Sequence, residues 1–137
     1  MTDPTRLDGA ALAAAFRAGG LSPTELTDAL LDRIDALEPA VNAFVLVDHA
    51  GARAAAAASQ ARWRRGEPLG PLDGVPVTIK DNILWAGHPM RRGSRTASDD
   101  PATESGARSP RRVRRDAAYS PGVSTGIERS ALMIAKA

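Results

Sequence analysis

The stretch Gly70-Pro71-Leu72-Asp73-Gly74-Val75-Pro76-Val77-Thr78-Ile79-Lys80-Asp81-Asn82 constrains this chain more than any other. Its glycines and prolines make the first half a turn-rich loop. The β-branched run after it predicts a strand over residues 75–79. Pro76 has no N–H to give a ladder, so it belongs at the beginning of that strand or at an edge. The run delivers Lys80, one of two lysines in a chain with 16 arginines. Arginine stays protonated near neutral pH, whereas a lysine taken out of water can lose its proton and act as a base. Lys80 is therefore a candidate for chemistry; the alternative is a strand-end lysine reaching along apolar surface to water. Asp81 either pairs with Lys80, which opposes base chemistry, or turns its carboxylate to the loop backbone. We read it as the second.

Upstream, the pattern is helical. Asp8 caps a first helix over Gly9 to Ala18, with Leu12 and Phe16 one turn apart and Gly19-Gly20 stopping it. Ser22, Pro23 and Glu25 give the second helix an N-cap, a first-position proline and a capping box. Leu21 and Leu26 are placed for a hydrophobic staple. Leu26, Leu30, Ile34 and Leu37 recur at helical spacing, and Pro39 is expected to end the element. That apolar face packs on the body of the protein or, alternatively, binds a partner. Val41 to Val47 reads as extended. Asp48 caps a third, alanine-rich helix that stops near Gly66, with Arg62, Arg64 and Arg65 read as a solvated cationic end rather than a nucleic-acid contact. His49 reads as a surface histidine, and His88 has no identifiable partner.

The strand's lysine is followed by Gly87-His88-Pro89-Met90-Arg91-Arg92-Gly93-Ser94-Arg95. Together with the 70–82 stretch, this resembles the amidase signature family in order and spacing, over roughly Leu21 to Glu104. The resemblance implies an α/β fold: N-terminal helices beside the first strands of the family's mixed sheet. It implies carboxamide hydrolysis through a Ser–Ser–Lys triad, with Lys80 as the base and Gly93 and Ser94 lining the substrate cleft. Met90 departs from the threonine common in the family. No metal or organic cofactor is implied, and the partner is a small-molecule amide. An amidotransferase subunit delivering ammonia for tRNA-bound substrates is a sibling reading.

Carboxamide cleavage needs a nucleophile, a base and donors for the developing oxyanion. The family's two serines lie in a Gly-Ser-Ser-Gly-Gly-like stretch that has no match in these 137 residues. Gly122-Val123-Ser124-Thr125-Gly126 has the form of a nucleophile elbow but lacks a preceding strand and a later histidine. It reads as coincidence. The chain is thus expected to hold the base without the nucleophile, and to be inactive by itself.

Charge divides the chain at the same place. Residues 1–104 carry 11 basic and 14 acidic side chains, and residues 105–137 carry 7 and 2. The family pattern gives way after Glu104 to Gly106-Ala107-Arg108-Ser109-Pro110-Arg111-Arg112-Val113-Arg114-Arg115. We expect 1–104 to be the N-terminal part of an amidase domain and 105–137 a basic, low-order tail. A frameshifted or truncated member fits: Gly-Ala-Arg-Ser can be encoded so that a one-base shift reads Ala-Pro-Ala-Val, as the family continues. The rival is a non-catalytic fragment whose arginines bind phosphate backbones non-specifically, but Tyr119 alone offers stacking.

Cysteine is absent, which excludes disulfides and thiolate chemistry. Aromatics are 4% and alanine supplies much of the 43% apolar content, so the core is modest. No run reaches membrane-spanning length. The expected setting is cytoplasmic, with self-association through unburied apolar surface.

Overall fold

The structure, a computed structural model, describes residues 3–83 and 87–102 together with the strand at 132–135. After a 3-10 turn at Pro4–Arg6 come α1 (Gly9–Ala18), α2 (Pro23–Val41), β1 (Phe44–Val47), α3 (His49–Arg65), β2 (Val77–Lys80) and β3 (Leu132–Ala135). Helices beside a mixed sheet make this the expected α/β arrangement.

The helices start where their caps dictate. The Asp8 carboxylate accepts the Ala11 N–H at 2.8 Å, and Asp48 does the same for Gly51 at 2.8 Å. At α2 the box closes in both directions. Ser22 Oγ accepts from Glu25 N–H at 3.2 Å, and the Glu25 carboxylate accepts from Ser22 N–H at 2.8 Å. Hydrogen bonds from the Ser22 hydroxyl and then its N–H hold the Glu25 carboxyl below its ordinary range. Gly19 and Gly66 end α1 and α3 in the left-handed conformation.

The expected stop at Pro39 is corrected. α2 runs through Pro39 to Val41 and ends on Asn42, itself left-handed at φ 51°. A helical proline forfeits one N–H and crowds the turn before it. Glu38 supplies compensating order: its carboxylate accepts the N–H groups of Ala43 and Phe44 at 3.0 and 2.9 Å. Those bonds lead the chain directly from α2 into β1.

Leu12, Phe16 and Leu26 form the main core cluster, joined by Leu21, Trp63 and Val75. The Phe16 and Trp63 rings lie 5.9 Å apart, tilted at 58°, a favourable aromatic geometry. α3 buries a narrow face of Ala52, Ala56, Ser59 and Arg62, which lets it pack closely on α2. A second cluster joins Leu31, Ala52 and Val47. The apolar stripe of α2 is buried only at its start: Leu37 is 47% and Val41 61% exposed. Together with Leu30, Ile34, Phe44 and Pro76 they line an open apolar groove.

β3 lies in the middle of the sheet, antiparallel to β1 and parallel to β2. Leu46 and Ile79 both register with Ile134, and Leu46, Ile79 and Ile83 pack together. β2 begins at Val77 rather than Val75. Val75 N–H closes a turn onto Leu72 C=O at 3.1 Å, and Pro76 has no donor to offer a neighbour. Of the expected tail, 132–135 is this central strand, and 105–131 and 136–137 lie outside the described residues.

Candidate active site

β2 is fastened at both ends by buried aspartates. Before it, Asp73 is 2% exposed and forms a two-pronged pair with Arg62 of α3, Nε to Oδ2 at 2.7 Å and Nη2 to Oδ1 at 2.6 Å. The Leu69 N–H donates to the same carboxylate at 3.0 Å, and Trp63 Nε1 donates to the Asp73 carbonyl at 2.9 Å. The loop from Leu69 to Gly74 is thereby bolted to the end of α3. Burial pushes the Asp73 carboxyl up, but the Arg62 hydrogen bonds and the Leu69 N–H outweigh it and leave it below its ordinary value. Arg62 is held more firmly protonated by the same bonds. Gly74, at φ 90°, completes the join: a Cβ there would collide with Ser59 Oγ and approach Pro23 Cβ to 2.7 Å.

This corrects the reading of Arg62 as part of a solvated helix end. Arg64 and Arg65 are exposed, but Arg62 is 7% exposed and paired. One signal for it was present. Ala52, Ala56, Ser59 and Arg62 recur at helical spacing, which puts the arginine on the same face as the small residues.

After the strand, Asp81 is 1% exposed. Its carboxylate accepts the Arg91 N–H at 3.0 Å and the Gly93 N–H at 3.4 Å, and its carbonyl accepts the Arg92 N–H at 3.3 Å. Asp81 therefore holds loop backbone, as expected for an acid beside a glycine-rich loop. Arg92 and Gly93 are both left-handed, at φ 52° and 70°, and Ser94 N–H closes the turn onto Arg91 C=O at 2.8 Å. Ser94 Oγ lies 2.8 Å from Thr96 Oγ1. On the outer side Arg91 pairs with Asp99 at 2.9 Å.

Lys80, the last residue of β2, is exposed, as are Gly93 and Ser94. The described residues thus bring the Gly-Ser loop against the residue after Lys80, but they do not bury the lysine. His88 contributes only backbone, its carbonyl accepting Ala102 N–H at 3.0 Å. His49 is tied between Val47 C=O and Asp35 at the start of α3. The Gly122–Gly126 motif and the arginines of 108–115 lie outside the described residues. One cleft, about 610 Å³, opens among Arg17, Thr24, Glu25, Gln60 and Trp63, and none of the candidate residues lines it. Among the described residues no acidic or histidine cluster could hold a metal, and no helix is long and apolar enough to cross a membrane.

Three helices beside a mixed sheet, with a lysine strand and a strapped Gly-Ser loop, have the arrangement of an amidase-type α/β protein. A family model described as Amidase matches residues 25–132, past the point where the motifs carrying the sequence resemblance end. A glutamyl-tRNA(Gln) amidotransferase subunit of Salinispora arenicola is 50% identical over 95 residues, which cover 69% of this chain and 19% of that protein. The peptide amidase of Stenotrophomonas maltophilia superposes with a TM-score of 0.70 at 27% identity, covering 96% of this chain and 24% of the amidase. A further amidase crystal structure gives a TM-score of 0.70 at 29% identity over 95% of this chain and 26% of its own. The chain belongs to the amidase signature family. It spans about a fifth of the length of the curated relatives it matches.

Proposed function

We propose that this chain supplies the base-bearing part of a carboxamide-cleaving site, with Lys80 as proton acceptor and Gly93 and Ser94 lining the substrate cleft. The carrying observation is the double fastening of β2, which fixes where Lys80 leaves the sheet and sets the Gly-Ser loop beside it. In this reading a serine hydroxyl attacks the amide carbonyl. Its proton passes through a second serine to the Lys80 amine and is handed back to the amide nitrogen, which leaves as ammonia; water then cleaves the acyl-enzyme. Those serines lie in no stretch of these 137 residues, so the polypeptide by itself turns over no amide. Residues 1–104 act as the amidase part and 105–137 as a basic extension whose strand at 132–135 completes the sheet, in a cytoplasmic protein using small amides and no cofactor. A second reading, an amidotransferase subunit that passes the ammonia on, is favoured by the 50% identity to a subunit of that kind.

Ammonia release tests this. The polypeptide alone should release none from glutamine or benzamide, and joined to the remainder of the Salinispora arenicola relative it should release it catalytically. Silence from the joined protein, once shown to be folded, would overturn the proposal.

A further inference from the structure

We infer that Asp81 is a positioning residue: it sets the spacing between the lysine strand and the Gly93-Ser94 loop by accepting the loop's backbone N–H groups. The inference rests on the proposed role of Lys80, which it deepens. Asp81 directly follows Lys80 and is buried. Three of its oxygen atoms accept consecutive loop N–H groups, those of Arg91, Arg92 and Gly93. Side chains of the loop take no part in these bonds. Arg91, Arg92, Gly93 and Ser94 are all exposed, so apolar burial does not hold the loop in place. The left-handed pair at 92 and 93 aims successive N–H groups to one side, the geometry by which a short loop grips an anionic oxygen. Here the anion is the protein's own.

Two consequences arise. The N–H groups at 91, 92 and 93 are occupied by Asp81, and that at 94 by the Arg91 carbonyl, so these four donors are not free for a substrate oxyanion. Recognition there falls to side chains, Ser94 among them. Because the loop contributes only backbone groups to the strap, the side chains at 90 and 91 can change without breaking it, which accommodates Met90 where the family has threonine. Specificity can then be altered at 90 and 91 while the spacing to Lys80 is kept.

Amide hydrogen exchange on the 137-residue chain, compared with Asp81→Ala and Asp81→Asn, tests this. In the parent, the amides of Arg91 and Gly93 should be protected, with downfield proton shifts from the carboxylate. In Asp81→Ala their exchange should speed up by roughly tenfold or more, with α1, α2 and α3 unchanged. Asp81→Asn, which keeps one side-chain acceptor, should fall between. A short amine–thiol cross-link from Lys80 to cysteine in a Ser94→Cys chain should form readily with Asp81 and lose most of its yield with alanine. Unchanged exchange at 91–93, uniform loss of protection across the helices, or an unchanged cross-link yield would each overturn the inference. Failure of the amidase reading would appear instead as absent ammonia release, and would leave these exchange rates as they are.

Discussion

Replacing Arg62 with alanine separates two views of the same residue. If Arg62 were a solvated cation at a helix end, its loss would cost under about 1 kcal/mol. In the structure it is 7% exposed and grips a carboxylate that is 2% exposed, through bonds of 2.6 and 2.7 Å. Removing the guanidinium leaves the Asp73 carboxylate buried without its charged partner, and breaking a buried pair in this way costs about 3–5 kcal/mol. Small domains have total stabilities of roughly 5–15 kcal/mol, so the loss would take a large share. Urea denaturation followed by helix circular dichroism measures it directly. The pH dependence has a definite sign. In the parent the Asp73 carboxyl lies below its ordinary value of 3.8. Its stabilising contribution is therefore complete above that value and is lost as pH falls through the lower, folded value. In Arg62→Ala burial dominates and raises the carboxyl, so the charged form is penalised at neutral pH. The deficit should be largest at pH 7 and shrink as the solution is acidified. A loss below about 1 kcal/mol with no pH dependence would refute the buried clamp.

Other substitutions read the neighbouring joints. Gly74→Ala must hold a left-handed backbone and push its Cβ against Ser59 and Pro23, which should cost about 1–3 kcal/mol or more in urea melts; an unchanged midpoint would show that the loop can shift. Glu38→Ala removes the acceptor for Ala43 and Phe44 N–H, and should cost roughly 1.5–3 kcal/mol and fray the end of α2 beyond Pro39. Leu37 and Val41 lie open in the apolar groove, so the chain should bind a hydrophobic dye and associate with rising concentration in sedimentation. Leu37→Ser with Val41→Ser should reduce both, and unchanged behaviour would place the sticky surface elsewhere.

What could be read from the sequence was local. The capping box at Ser22, the aspartate caps of α1 and α3 and the glycine stops each depend on residues within one turn. The structure places all of them as expected. Asp81 was legible for a similar reason, since an acid beside a glycine-rich loop has loop backbone as its nearest donor. Pro39 misled because its effect depends on its neighbours: an asparagine able to turn left-handed and a Glu38 side chain reaching forward to Phe44. Arg62 was hidden because its partner is 11 residues away across a turn. Only the periodicity of Ala52, Ala56 and Ser59 betrayed its face. The partners of β1 and β2 were the least legible. β3 comes from residues 132–135, far along the chain, and no short-range pattern announces a central strand inserted between two others.

The measurement nearest the central claim is the turnover number of the joined protein with Lys80 replaced by methionine, a neutral side chain of similar reach. General-base catalysis contributes about 10²–10⁴ in rate, so kcat should fall by at least a hundredfold or so while KM for the amide stays close to the parent value. Undiminished kcat in a folded Lys80→Met protein would contradict the assignment of the base.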